Sequence, residues 1–212
     1  MTDATLPAAI EVEREPGPGT GALGMWVFLA SEVLFFGGLF VATLYGRTHW
    51  PDGWAAAARR IDVVLGTVNT AVLLTSSALV ALAVACDASP RHARRVAGLL
   101  GATALLGLAF LAIKGVEWHA DAVQGLVPGP SFALAATPGA QEFFALYFVM
   151  TGLHAVHMGV GVGVLAALAW GRRRRRAWAR AAHVEVAALY WHFVDVVWIF
   201  LYPLLYLVAR HG

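Results

Sequence analysis

With a single cysteine, Cys86, in 212 residues, the chain can close no intrachain disulfide and can build neither a CxxC redox pair nor a thiolate cluster. Charge is also scarce. Asp, Glu, Lys and Arg together make 13% of the residues, against about 25% in ordinary soluble domains, while 59% are hydrophobic. The stretch before residue 22 carries Glu11, Glu13 and Glu15 with no basic segment leading into an apolar core, so it reads as a polar tail and not as a signal peptide. No repeat of 20 to 50 residues is evident. The formal charge of +2 reflects a local surplus at residues 172–176 and Arg180, which reads as a topology signal and not as a nucleic-acid patch.

What the chain has instead is long apolar runs. Five reach or exceed the roughly 18 residues that mark a spanning helix: 23–45, 63–86, 96–117, 142–170 and 185–208. The fold class predicted is all-α: a polar tail over 1–21, then a polytopic membrane domain over 22–212, a bundle of five transmembrane helices. The connections after the second and fourth helices, with Arg14, place ten arginines on one side; Arg47, Arg59, Arg60 and Arg210 lie on the other. The positive-inside rule then puts the N-terminus in the cytoplasm and the C-terminus outside. The longest connection, about 118–141, has three prolines and no Lys or Arg, and is expected outside. Trp26, Trp50, Trp54, Trp118, Trp170 and Trp178 fall near helix ends, as interfacial aromatics do, with Trp198 deeper. Pro203 should kink the last helix near its outer end.

Ionisable and polar groups inside these spans are the candidates for function, because hydrocarbon penalises them. Glu32 lies about half a span from either end. A charge there must be neutralised or met by a cation or hydrogen-bond donors, so Glu32 reads either as a proton-exchanging or lipid-linked site or as a packing hydrogen bond. His154 and His157 stand one turn apart; a metal site would need further ligands, and packing is the default, with Gly159 and Gly163 offering a close helix contact. Asn69 and the hydroxyls near it read as interhelical glue. Lys114 and Glu117 can pair across one turn, as an interfacial ion pair. Glu185, His192 and Asp195 fall near one stripe of the last helix. They read as a buried polar interface for packing and assembly, since no donors continue a relay beyond Asp195.

These residues sit in motifs that resemble subunit III of the haem-copper terminal oxidases, the cytochrome c oxidase subunit 3 family, over nearly all of 24–207. The motifs are Gly24-Met-Trp-Val-Phe-Leu-Ala-Ser-Glu-Val-Leu-Phe-Phe; Asn69-Thr-Ala-Val-Leu-Leu-Thr-Ser-Ser; Lys114-Gly-Val-Glu-Trp; Thr151-Gly-Leu-His-Ala-Val-His; and Tyr190-Trp-His-Phe-Val-Asp-Val-Val-Trp. The resemblance implies an all-helical, non-catalytic subunit in a bacterial cytoplasmic (inner) membrane. It would pack beside catalytic subunit I and subunit II, support sustained turnover and proton uptake, and bind phospholipid, with no nucleic acid. Haem and copper are expected in the partner subunits and no cofactor in this chain. Three intramembrane histidines cannot ligate two haems and a copper, and one cysteine cannot build a dinuclear copper centre.

Within the resemblance, Glu32 matches the family's buried, carbodiimide-reactive glutamate. Longer members carry two more N-terminal helices, which form a lipid-filled cleft and are absent here. Ser31-Glu32 and the last motif look more like the cytochrome c branch than the quinol branch. A quinol oxidase subunit and a nitric oxide reductase accessory protein are alternatives on the same plan. A free-standing proton channel or transporter is the alternative of a different class, and would need a polar path along the bundle.

Overall fold

The computed structural model describes residues 20–87 and 92–207, whose regular secondary structure is helical with no strands. The polar tail up to residue 19, and Arg14, Arg91, Arg210, His211 and Gly212 of the charge count, lie outside the described residues. Six α-helices follow in order: α1 Thr20–His49, α2 Pro51–Ala58, α3 Val63–Cys86, α4 Ala93–Val123, α5 Ala140–Arg173 and α6 Ala181–Tyr202. A π-helical turn, Pro203–Leu207, continues α6. Five stretches are long and apolar enough to cross a membrane: Gly21–His49, Val63–Cys86, Ala93–Val123, Ala140–Arg173 and Ala181–Leu207. At 24 to 34 residues each, they exceed the ~20 needed for a hydrocarbon core, so their ends project or the helices tilt.

Local chemistry sets the ends. Asp62 caps α3, accepting from the Val64 and Leu65 amides at 2.8 and 3.2 Å. The sequence suggested a loop from about 118, but α4 runs on to Val123 because nothing between Trp118 and Val123 breaks a helix. It stops at Gly125, whose φ of 70° lets the Leu126 amide reach Asp121 O and the Gly125 amide reach Ala122 O. At Pro203 the missing amide ends the α-ladder after Tyr202, and the chain widens into the π turn.

Helices α3, α4, α5 and α6 form a ring in which each packs on the next and α6 returns to α3, while α1 lies outside against α5 and α6. The short α2, with Pro51 in its first turn, is too short to register as a span. It tucks Trp54 against Phe143 at 5.0 Å between ring centroids, so Trp54 is part of the core. Gly53 presses on the Pro138 carbonyl so closely that a Cβ there would overlap it. The predicted contact at Gly159 and Gly163 is absent from this chain: both face outward with open space beside them. Close approach happens instead at Gly107 and Gly161, which flank the fully buried ring of Trp191.

Candidate functional site

Two polar sites stand inside the apolar bundle. The first joins α1 to α5. Glu32 Oε2 lies 3.3 Å from His157 Nε2, and each side chain is 18% exposed. On the other side of the imidazole, Nδ1 lies 2.8 Å from the Leu153 carbonyl oxygen, which can only accept, so Nδ1 carries a hydrogen. Nε2 is left to face the Glu32 carboxyl group, and the contact is a hydrogen bond when one of the two carries a proton. Tyr190 of α6 donates to the His157 carbonyl at 3.0 Å and packs its ring 6.1 Å from Phe28, one turn before Glu32. An apolar groove of about 630 Å3, bounded by Met25, Phe28, Val160, Val164, Ala187 and Tyr190, opens beside the pair.

His154, the other histidine of that motif, goes elsewhere. It is buried, its ring packs 5.4 Å from Phe110 and 5.2 Å from Trp198, and neither nitrogen has a hydrogen-bond partner among the described residues. Thus the two histidines diverge, one to the carboxyl group on α1 and one into the aromatic core.

The second site is enclosed in the ring. Lys114 and Glu117 pair, with Nζ 3.2 Å from Oε2, and at 1% and 2% exposure they are enclosed by the bundle. The lengthened α4, α5 and the π turn place Asp121, Tyr147 and Tyr206, respectively, around them. Lys114 Nζ donates to Tyr147 at 3.0 Å and to Tyr206. Tyr206 donates to Glu117 Oε1 at 2.6 Å. Tyr147 has a single hydroxyl hydrogen, yet stands 2.9 Å from Glu117 Oε1 and 3.0 Å from Asp121 Oδ2. Both contacts are complete when Asp121 is a carboxylic acid, which also makes one ammonium and two carboxyl groups neutral in sum. Sequence reasoning missed both tyrosines and left Asp121 in a loop. The available signal was Lys114 itself: a cation on an apolar helix requires acceptors.

Along the α3–α6 seam, Ser77 Oγ lies 2.7 Å from His192 Nδ1, Trp191 Nε1 donates to Ser76 Oγ at 3.0 Å, and Trp198 Nε1 donates to Thr70 Oγ1 at 3.0 Å. The glue therefore lies in the hydroxyls beside Asn69. Asn69 itself is buried with no hydrogen-bond partner among the described residues. Glu185 corrects the expected buried stripe: it is exposed, because it stands off the packed face of α6, on which its neighbour Val184 is fully buried. Asp195 is buried, and neither of its oxygens completes a hydrogen bond to the described residues. Asp195→Asn should therefore shift stability by less than about 1 kcal/mol, since the amide keeps the shape of the carboxyl group and can still meet the Ser77 hydroxyl. Thermal melting of the purified chain in its complex checks this, and a drop of several degrees would reveal a partner.

The sequence matches the family described as cytochrome c oxidase subunit III over residues 19–210. It is 31% identical over 198 residues to cytochrome c oxidase subunit 3 of Thermostichus vulcanus, covering 91% of this chain and 90% of that protein. It is 33% identical over 197 residues to heme-copper oxidase subunit I+III of Aeropyrum pernix, covering 87% of this chain and only 22% of that longer protein. Quinol oxidase subunit 3 of Bacillus subtilis is 29% identical over 215 residues, covering 97% of this chain and 95% of the relative. The chain belongs to the cytochrome c oxidase subunit III family.

Proposed function

We propose that this chain is the non-catalytic third subunit of an oxygen-reducing cytochrome c oxidase, where it prolongs turnover and supports proton uptake by the catalytic subunit. The observation that carries this reading is the Glu32–His157 pair: a carboxyl group and an imidazole 3.3 Å apart at the edge of the bundle. One proton held between such a pair leaves it neutral overall, whichever group carries it, so no bare charge stands in hydrocarbon. The Aeropyrum pernix relative, whose name joins subunits I and III in one chain, supports a place beside subunit I. The arginines at the shared ends of α4 and α5 support a cytoplasmic N-terminus in a bacterial inner membrane. Haem, copper and the electron-donor site are assigned to subunits I and II.

Relatives named as quinol oxidase subunits match over a similar span, so the donor is the part of the reading most in need of a test. Purifying the native complex and measuring oxygen consumption with reduced cytochrome c and with quinol decides it; oxidation of quinol alone would overturn the cytochrome c reading. For the pair, Glu32→Gln should leave assembly and initial rate near wild type while shortening catalytic lifetime severalfold. His157→Ala should behave alike, and the double variant no worse than either single one. An unchanged lifetime in all three would remove the pair from function.

A further inference from the structure

Where α4 begins and α5 ends, a cavity of about 880 Å3 opens between the two helices. Arg94, Arg173 and Arg174 form its mouth, and Gly98 and Gly101 part of its floor. Guanidinium groups gathered without a counter-charge repel one another, and carboxylates placed between them relieve that repulsion through charge-assisted hydrogen bonds. This end of the bundle shows the remedy once: Arg172 is met by Asp87, the residue that follows α3. Among the described residues no carboxylate pairs with the other three arginines. The counter-charge has few sources in the chain. Because the long helices alternate in direction, the acidic residues at this end are Asp87, Glu185 and those of the N-terminal tail, and the 88–91 connection has none. Asp87 is taken, and Glu185 stands on α6, which does not line the cavity. That leaves the tail.

Charge pattern and reach both suit it. In Glu11-Val12-Glu13-Arg14-Glu15 an extended chain, whose successive side chains point to opposite faces, presents the three acids on one side and Val12 and Arg14 on the other. Pro16 favours the extended form at Glu15. Three carboxylates then face three guanidinium groups. Reach is set by where α1 starts. Met25 of α1 and Leu168 of α5 line one groove, and the two helices run in opposite directions. Thr20 precedes Met25 by five residues and Arg173 follows Leu168 by five, so Thr20 and Arg173 stand at one level of the bundle. Passing from α1 across α5 to the α4–α5 seam takes one to two interhelical spacings, about 10–20 Å. An extended chain covers roughly 3.3 Å per residue, which carries Glu15 about 17 Å and Glu11 about 30 Å from Thr20. The cavity is within the tail's reach.

We propose that residues 11–15 of this chain's own tail dock in the cavity, with Glu11, Glu13 and Glu15 on Arg94, Arg173 and Arg174 and the peptide backbone over Gly98 and Gly101. A side chain at either glycine would meet nothing within 4 Å, so the floor has room for a peptide to lie along it. The consequence is mechanical. Helix α1 lies outside the ring of α3 to α6 and packs only on its α5 and α6 side. The docked tail straps the start of α1 to the seam beyond α5, where no helix contact holds it. Such a strap is electrostatic and close to solvent, so salt loosens it. It stands at the end of the bundle and does not depend on the role proposed for Glu32.

The test uses the intact complex extracted in detergent, with Cys86→Ser in this chain and spin labels at Val12→Cys and Arg95→Cys. The first site alternates with the acids and the second adjoins the cavity without lining it. Pulsed electron spin resonance reads the distance between the labels. This parent should give a single narrow distance that is lost at about 1 M salt, where charges are screened beyond roughly 3 Å. Glu11→Gln/Glu13→Gln/Glu15→Gln should lose it at low salt as well. Reversing the three acids to arginine should also abolish it, and reversing Arg94, Arg173 and Arg174 to glutamate in the same chain should bring it back. If the reversed arginines prevent assembly, the tail variants decide, because they leave α1 to α6 unaltered. A broad distribution in the parent overturns the proposal, since a lipid or a partner's segment in the cavity would leave the tail unheld. A narrow distance that survives the glutamines or the salt overturns it too, as does a charge swap that assembles and stays broad.

Discussion

Replacing Lys114 with methionine is expected to lower the stability of the folded chain by about 3–5 kcal/mol, the usual consequence of removing one partner from a buried charge pair. The ammonium is enclosed by Glu117, Tyr147 and Tyr206, and its ring neighbours include Trp198 at 5.6 Å from the centroid. Without it the Glu117 carboxylate has two phenols and no cation. The expected result is a severe drop in yield of intact complex and in its melting temperature. Lys114→Met/Glu117→Gln should recover much of the loss, because no unpaired charge remains. A single variant that melts like wild type would show that the cluster does not hold α4, α5 and the π turn together.

Trp191→Ala should be about as damaging, at about 3–5 kcal/mol, through the cavity it leaves. The ring is fully buried, hydrogen-bonded to Ser76, and lies so near Gly107 and Gly161 that a Cβ on either would come within 2.9 Å of it. One side chain of α6 thereby contacts α3, α4 and α5. Neither glycine can fill the vacated space, since each presents only backbone. Trp191→Phe, which keeps most of the volume and loses the indole hydrogen bond, should cost nearer 1 kcal/mol. Chemical unfolding of the detergent-solubilised chain would measure both, and equal values for Ala and Phe would refute the packing account.

The sequence makes the five spans legible because hydrocarbon demands long unbroken apolar runs, and those demands are local. It is much less informative about which polar groups meet. Glu32 and His157 are 125 positions apart, and only the packing of α1 across α5 brings them to 3.3 Å. Tyr206 is hidden for another reason: a π turn changes the angular register after Pro203, so counting by 3.6 residues places its side chain wrongly. Glu185 errs in the opposite direction, since the packed face of α6 runs through Val184, Ala188, Trp191 and Asp195 and leaves Glu185 to one side. Gly159 and Gly163 show that a small-residue spacing marks what a helix permits and not what it does. In the single chain the partner of α5 arrives at Gly161 instead.

The aromatic packing around His154 sets a limit on how the two polar sites communicate. Phe110, His154 and Trp198 lie within 5.4 Å of one another, centroid to centroid, between the edge pair and the enclosed cluster. The small void beside His154 and His157, lined also by Phe36, Phe193, Val194 and Val197, has no room for a water molecule. These rings act as an insulator: they put an apolar layer between the Glu32–His157 pair and the charges around Lys114, so that neither polar site answers the other's charge.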